Sequence, residues 1–263
     1  KPGAFLLGEA WMDNQAQERN AEDIATWFEK LGGSRPQFDS LFDFPMQMTM
    51  TSVFARGEAA SDLEAWLQRS EAVYGPGARP TRFLDNHDLA RFMAWTDKPE
   101  RLTAALGFLA SLTGPVAVFY GTETGLSHVA PKAGFVDVGR IPMPGKGLNE
   151  SLVARTRTIL KTRREHPALS RGGRIPLLAD RNQLVMAKVT PEETVLVGVN
   201  LAAEPKEIEV DIAGLLAAGA TLRPVLGESA ATWDAGTGRL RWKLPPLSTV
   251  MVAAGAPKAG VLP

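Results

Sequence analysis

The first part of the chain is organised around the stretch Thr81-Arg82-Phe83-Leu84-Asp85-Asn86-His87-Asp88. Its first half, Thr81 to Leu84, has the composition of a short β-strand, and its second half is polar. A helical pattern from Pro99 to Leu112 follows, and Gly114-Pro115 ends it. A strand, a polar loop and a helix form one βα unit. In parallel α/β proteins, the loop after the strand lies at the edge that carries the active site.

The same order of strand, polar residues and helix occurs three more times before about residue 168. The additional strands are predicted at Ala4–Leu7, Leu41–Phe44 and Val116–Tyr120. The additional helices are predicted after the N-cap Asn20, at the capping-box pattern Ser61-Asp62-Leu63-Glu64, and from Asn149 to about His166. Four βα units form either a small open parallel sheet or half of an eight-stranded barrel, and their spacing alone does not choose between these folds.

From about residue 170 the pattern changes to short strands without helices between them. Seven apolar segments separated by turn residues predict an antiparallel β-sandwich. They are Ile175–Leu178, Leu184–Val189, Val195–Leu201, Ile208–Ile212, Leu222–Leu226, Leu240–Leu244 and Thr249–Val252. We therefore expect a βα domain at residues 1–168, a β-sandwich at 169–255 and a flexible tail at 256–263.

The composition excludes several classes of function. The chain has 263 residues, and its 29 lysines and arginines are balanced by 29 aspartates and glutamates. A nucleic-acid-binding protein normally has a basic excess, so we expect no nucleic-acid partner. No stretch reaches the roughly 18 apolar residues of a transmembrane helix, so we expect no membrane partner. The absence of cysteine excludes disulfides, thiolate metal sites and a cysteine nucleophile. A neutral sugar remains a suitable substrate.

Side chains that suit the chemistry or the binding of a sugar follow three of the predicted strands. They are Glu9 and Trp11 after the first strand, Asn86, His87 and Asp88 after the third, and Glu123 after the fourth. Cleavage of a glycosidic bond needs one protonated and one charged carboxyl group, and strand ends of a parallel sheet bring such groups together. An apolar wall formed by Trp11 would raise the pKa of Glu9 and would offer a surface on which a sugar ring stacks.

These motifs resemble, in order, those of the α-amylase family of glycoside hydrolases. The segment Phe5-Leu6-Leu7-Gly8-Glu9-Ala10-Trp11 resembles the fifth-strand motif, which carries the general acid/base glutamate. The segment from Phe83 to Asp88 resembles the seventh-strand motif, whose His and Asp hold the sugar and stabilise the transition state. Residues 119–126 resemble the eighth-strand segment, and residues 140–144 resemble the arginine-bearing loop of cyclomaltodextrinase-like members.

The resemblance implies strands five to eight of a (β/α)8 barrel followed by an antiparallel β-sandwich. It also implies retaining cleavage of α-glucosidic bonds in malto-oligosaccharides, cyclodextrins or starch. Glu9 would be the acid/base and Asp88 the transition-state stabiliser, while Asn86, His87 and Trp11 would bind the sugar. Arg140 contacts substrate or only braces its loop. Glu123 anchors the barrel mouth in the favoured interpretation, with direct substrate contact as the alternative.

The family pattern also contains residues that have no counterpart in this sequence. The nucleophilic Asp lies on strand four, with an Arg two residues before it, and strands one to four would precede Lys1. We therefore expect the N-terminal half of the barrel as a second chain or as a removed segment, and we expect the isolated chain to be inactive. A dimer of two half barrels is a less favoured way to cover the open sheet edges.

No cofactor is expected from these residues. No second histidine lies at metal-ligand spacing from His87. Calcium occurs in many family members, but its usual ligands would lie largely in the absent part. Arg91 is either a solvated helix residue or a partner that holds Asp88. Trp27, Trp66 and Trp95 occupy or adjoin helical apolar stripes, which predicts that they lie in the core.

Two alternatives from other functional classes stay open. One is a catalytically inactive module that binds a glucan or a protein partner. The other is a small α/β hydrolase unrelated to the barrel. Hydrolysis and transglycosylation are not distinguished by the sequence either, because the choice depends on acceptor sites that lie partly in the absent half.

Overall fold

The computed structural model describes residues 3–11, 16–29, 36–75, 77–127, 139–217 and 219–261. A parallel βα part comes first and an antiparallel β part follows it. The parallel strands are β1 (Leu7–Gly8), β2 (Ser40–Leu41), β3 (Arg82–Phe83) and β4 (Val116–Ala117). The helices are α1 (Gln17–Phe28), α2 (Phe44–Met50), α3 (Ala60–Tyr74), α4 (Pro99–Ser111), α5 (Glu150–Glu165) and α6 (Pro167–Arg171). A π-helical turn at Thr51–Ala55 extends α2.

The four short strands are neighbours in chain order. Strand β1 pairs in parallel with β2, and β3 pairs in parallel with β4. A parallel bridge between Phe42 and Thr81 connects the two pairs. The loops that follow the strands therefore lie on one edge of this layer. The arrangement agrees with four successive βα units and does not by itself establish the closed barrel that the sequence motifs imply.

Two predicted helix starts are wrong. Asn20 is not an N-cap, because α1 begins at Gln17 and Asn20 is buried inside it. Ser61 does not cap α3 either. The backbone N–H groups of Ala60 and Ser61 instead donate to the carbonyls of Arg181 and Asp180, at 2.8 Å each. A turn 120 residues away in sequence therefore satisfies the first turn of this helix. Asn149 does cap α5, since its side chain accepts a bond from the N–H of Leu152.

The antiparallel part consists of two packed sheets. Its strands are β5 (Gly173–Ala179), β6 (Gln183–Val189), β7 (Thr194–Asn200), β8 (Lys206–Asp211), β9 (Arg223–Leu226), β10 (Ala231–Asp234), β11 (Arg239–Leu244) and β12 (Ser248–Ala254). One sheet has the order β5-β6-β7-β12-β9, and the other has the order β10-β11-β8. Side chains from both inner faces, including those of Leu196 and Trp242, form one apolar cluster. All seven predicted strands are present, and β10 was missed.

The outer face of the five-stranded sheet packs on the helices of the parallel part. Met186, Val197 and Met251 share one apolar cluster with Leu63 of α3 and Phe108 of α4. The contact between α4 and β12 is close: a Cβ on Gly107 would lie 2.9 Å from the Cβ of Thr249, and the Thr249 hydroxyl donates to the carbonyl of Ala104 at 2.7 Å. The two parts therefore share a core.

The three tryptophans predicted for the core divide into two groups. Trp66 is buried, but Trp27 and Trp95 are each 41% exposed. The ring of Trp95 instead lies under the guanidinium of Arg56, whose central carbon is 4.0 Å from the ring centroid. A side chain beside an apolar stripe, as Trp95 is, need not face the core. In the described ranges, no helix has the length and apolar character needed to span a membrane.

Candidate active site

The loops after β1 and β3 bring two carboxylates into one electrostatic environment. Glu9 directly follows β1, while His87 and Asp88 lie in the loop after β3. Partial burial raises the pKa of Glu9, the negative charge of Asp88 raises it further, and His87 opposes this rise. The parallel pairing of the strands places the loop of Glu9 and the loop of His87 and Asp88, which the sequence proposes as site residues, at the same edge of the layer.

Asp88 is the centre of a small polar network. Its Oδ1 accepts a bond from Arg140 Nη2 at 2.9 Å, and its Oδ2 lies 3.2 Å from His87 Nε2. The backbone N–H of Asp88 donates to Asn86 Oδ1 at 2.9 Å, which fixes the turn. The side chains of His87, Asp88 and Arg140 are 47%, 37% and 48% exposed, so the network is open to solvent and to a substrate.

A glycine allows the segment of Arg140 to reach this loop. A Cβ on Gly139 would lie 2.7–2.8 Å from the carbonyl oxygens of Asn86, His87 and Leu89, which is closer than a side chain allows. The Tyr120 hydroxyl donates to the carbonyl of Ile141 at 2.8 Å and holds the other side of the segment. Arg140 is therefore placed on Asp88 by backbone packing. This ion pair does not settle whether Arg140 also contacts a substrate.

Asp85 lies in the same motif but differs from Asp88 in its surroundings. It is buried, its Oδ1 accepts the Thr122 hydroxyl at 2.5 Å, and its Oδ2 accepts the N–H of Phe92 at 2.8 Å. Burial raises the pKa of Asp85, and these two hydrogen bonds oppose the rise. Because both oxygens face protein donors, Asp85 shapes the loop and leaves the exposed Asp88 as the carboxylate available to a ligand.

Arg91 fits neither of its two sequence-based interpretations. It is fully buried, so it is not a solvated residue, and Arg140 pairs with Asp88 in its place. Its Nη1 donates to the carbonyl of Tyr120 at 2.7 Å, and its guanidinium lies 4.2 Å from the ring centroid of Phe119. Arg91 thus connects the loop after β3 with the segment after β4. Sequence alone gave no signal for this contact.

Two further predicted site residues, Trp11 and Glu123, follow strands β1 and β4. Trp11 stacks on Phe44, with ring centroids 4.8 Å apart, and Phe44 packs edge-to-face on Phe83. Glu123 lies half-buried in a 3-10 turn, and its charge contributes to the raised pKa of Asp85. Its role as an anchor stays a prediction. The described residues contain no group of three or more histidine, aspartate or glutamate side chains that could hold a metal.

Comparisons with known proteins connect this geometry to a family. The chain is 27% identical over 225 residues to a cyclomaltodextrinase of Geobacillus thermopakistaniensis, which covers 81% of the chain and 34% of that protein. Its fold matches the crystal structure of an Anoxybacillus α-amylase with a TM-score of 0.78 and 24% identity, over 98% of this chain and 53% of that one. The chain is thus similar in sequence to a cyclomaltodextrinase and in fold to an α-amylase. No family model matches the chain.

A second solved structure also matches the fold of the chain. The structure of AmyP in complex with maltose matches this chain with a TM-score of 0.75 and 21% identity, over 97% of this chain and 56% of that one. At this identity the match concerns the fold. The chain spans about a third of the length of the curated relatives it matches and about half of these two solved structures.

Proposed function

We propose that Glu9, His87, Asp88 and Arg140 form one side of an active site that cleaves α-glucosidic bonds with retention. The observation that carries this proposal is the position of Glu9 and of the His87–Asp88 pair after two strands of one parallel layer, where partial burial and then the charge of Asp88 raise the pKa of Glu9. The relation to a cyclomaltodextrinase and the maltose bound in the structure of AmyP support an α-glucan as substrate.

The two carboxylates differ in a way that suits the two roles. With its raised pKa, Glu9 holds a proton to a higher pH than an ordinary carboxyl group and would donate it to the departing glycosidic oxygen. Asp88 accepts a bond from Arg140 and lies beside His87, so its carboxylate is held in place while it stays partly exposed to a ligand. A charged Asp88 would stabilise the oxocarbenium-like transition state, and Trp11 would stack on a sugar ring.

A retaining mechanism also needs a nucleophilic carboxylate. We propose that it comes from the first half of the barrel, supplied as a second chain or as a separate segment. The exposure of Phe5, Leu6 and Leu7 along β1, at 59%, 52% and 42%, supports this view, because a neighbouring strand would cover them. On this basis, the chain by itself would bind glucan and would not cleave it.

The test combines binding with the stereochemistry of the product. Maltotriose binding to the isolated chain is measured by saturation-transfer NMR, with β-linked cellotriose as the control sugar. Cleavage is then assayed after co-expression with the first barrel half of the related cyclomaltodextrinase, and the anomer first released is identified by NMR. We expect selective maltotriose binding by the chain alone and an α-anomeric product from the complemented protein.

Other outcomes would contradict specific parts of the proposal. Turnover by the isolated chain would contradict the need for an external nucleophile. A β-anomeric product would contradict retention. Maltotriose binding that is unchanged in Glu9→Gln, without cleavage in any preparation, would favour the inactive glucan-binding module.

A further inference from the structure

A second charged region lies away from the candidate active site. A cavity of about 440 Å³ occurs where α3, the start of β3, α6 and strands β5 and β6 meet. Its described lining does not include Glu9, Asn86, His87, Asp88 or Arg140. The cavity is formed at the junction of the parallel and antiparallel parts, so residues from both parts line it.

The cavity is strongly cationic. Among its described lining residues, five are basic and one, Glu71, is acidic; the basic residues are Arg79, Arg82, Arg171, Arg174 and Lys188. Two of these cations are neutralised locally. Arg174 donates to both oxygens of Glu64 and of Glu71, at 2.6–2.8 Å. Arg82 Nη1 lies 2.5 Å from Asp43 Oδ2.

Lys188 is the buried cation that lacks such compensation. It is 1% exposed, and its ammonium group donates to the hydroxyl of Thr113. No carboxylate of the described residues lies within ion-pair distance of it. Its cross-strand partner in the β5–β6 ladder is Arg174, another cation. Like charges placed directly opposite each other destabilise a sheet, and a buried ammonium without an anion costs several kcal/mol.

Positive charges and an unpaired donor surround Lys188. Burial, together with the charges of Arg174, Arg163 and Arg82, lowers the pKa of Lys188 to about 7, and Glu71 opposes this shift. Arg82 Nε, also buried, has no hydrogen-bond acceptor among the described residues. Arg79 and Arg171 lie exposed at the rim, where their charge attracts an anion. An apolar side chain at position 188 would fill the same space without burying a charge, so packing does not explain why a lysine occurs there.

We propose that this cavity binds a phosphate group, either inorganic phosphate or the phosphate of a phosphorylated sugar, with Lys188 as the principal ligand. A phosphate offers several acceptor oxygens to the Lys188 ammonium and the unpartnered Arg82 Nε. A volume of about 440 Å³ also lies in the range of small-molecule sites, so a sugar ring attached to the phosphate would fit. This proposal does not depend on the glucan chemistry of the other site.

Calorimetric titration of the full chain with inorganic phosphate and with glucose 1-phosphate tests the proposal. Lys188→Met removes the ammonium and keeps a similar volume, and Lys161→Met removes an exposed lysine of α5 as the matched control. We expect one site per chain, a loss of affinity of at least about tenfold in Lys188→Met, and an unchanged affinity in Lys161→Met. Equal affinity of the two probes would assign inorganic phosphate, and tenfold tighter glucose 1-phosphate would assign the phosphorylated sugar. Absence of binding, or equal binding by Lys188→Met, would overturn the proposal.

A measurement on the unmodified chain keeps the proposal testable if Lys188→Met does not fold. Sulfate remains a dianion across the neutral range, so its binding reports on the protein charge. Arg174, Arg163, Arg82 and Glu71 face Lys188, whose pKa of about 7 means that its ammonium loses its proton between about pH 6 and about pH 8.5. We expect sulfate to bind several-fold more tightly at the lower pH, and a pH-independent affinity would overturn the role of Lys188. Arg171→Gln at the rim should weaken phosphate binding by a smaller factor than Lys188→Met.

Discussion

The candidate active site and the cationic cavity differ in how far their charged side chains are exposed to solvent. At the active site, His87, Asp88 and Arg140 remain partly exposed, and opposite charges pair directly. In the cavity, the Arg174 side chain is 7% exposed and Lys188 is 1% exposed, and cations outnumber anions among the described lining residues. In both regions charged side chains lie at the end of a strand or beside one. In the cavity, Arg174 and Lys188 are buried away from solvent.

The difference explains why burial has unequal effects in the two regions. Water screens the exposed pairs, so the pKa of Glu9 is raised by partial burial and by one neighbouring carboxylate. The low dielectric environment around Lys188 amplifies both desolvation and repulsion, which lowers its pKa to about 7. Charges at the candidate active site are thus accessible to a ligand, whereas the Lys188 ammonium is buried without a carboxylate of the described residues at ion-pair distance.

The largest expected effect lies at the exposed site. In the complemented protein, Glu9→Gln should lower kcat for maltotriose by about 10²–10⁴-fold, because the amide cannot donate a proton to the leaving oxygen. Glu165→Gln, on the exposed face of α5, is the control and should retain full activity. Activity within a few-fold of wild type in Glu9→Gln would remove Glu9 from the mechanism.

The next largest effect is the contribution of Lys188 to the pH dependence of the free energy of unfolding. The pKa of Lys188 is about 7 in the folded chain and near 10.5 in the unfolded chain, so the unfolded chain binds more protons between these values. The free energy of unfolding should therefore rise with pH in this window, by up to about 1.4 kcal/mol per pH unit. Lys188→Met should lack this rise and should be more stable than wild type at neutral pH. Urea unfolding of both proteins in phosphate-free buffer between about pH 7 and 9.5 measures this pH dependence. Parallel pH curves for both proteins would contradict the buried, uncompensated ammonium.

A smaller effect is expected at the buried carboxylate beneath the active site. Asp85→Asn should lower the free energy of unfolding by about 1–3 kcal/mol, because the amide has one acceptor oxygen where the carboxylate offers two, so the Thr122 hydroxyl or the Phe92 N–H loses its acceptor. Asp88→Asn, three residues further on and exposed, should cost less. Urea unfolding of both variants compares a buried and an exposed aspartate of one loop. Equal losses would contradict their different roles.

The smallest effect is expected for the exposed ion pair. Arg140→Gln should change the free energy of unfolding by less than about 1 kcal/mol, because water and salt screen the pair with Asp88. If Arg140 also contacts the substrate, KM for maltotriose rises in the complemented protein while stability stays constant. A large loss of stability would show instead that Arg140 mainly braces its loop.

Local sequence patterns predicted most elements but not their precise ends. The seven strands predicted in the second part are all present, because alternating or continuous apolar runs are local signals. Strand β10 was missed because Ala231-Thr232-Trp233-Asp234 is short and half polar. The start of α3 was misassigned because its first N–H groups are satisfied by a distant turn, which no local pattern records.

The sequence by itself determined which residues are candidates for the site: Glu9, His87 and Asp88 each directly follow, or nearly follow, a strand, and this order is visible in the chain. Only the tertiary structure decided their partners. It placed Arg140 on Asp88 through the close approach of Gly139, buried Arg91 under Phe119, and set Lys188 opposite Arg174 beside the cationic cavity. The physical reason is that burial and electrostatic coupling depend on distances between segments far apart in sequence. Residue type and spacing fix what a side chain can do, whereas packing fixes which charges it faces.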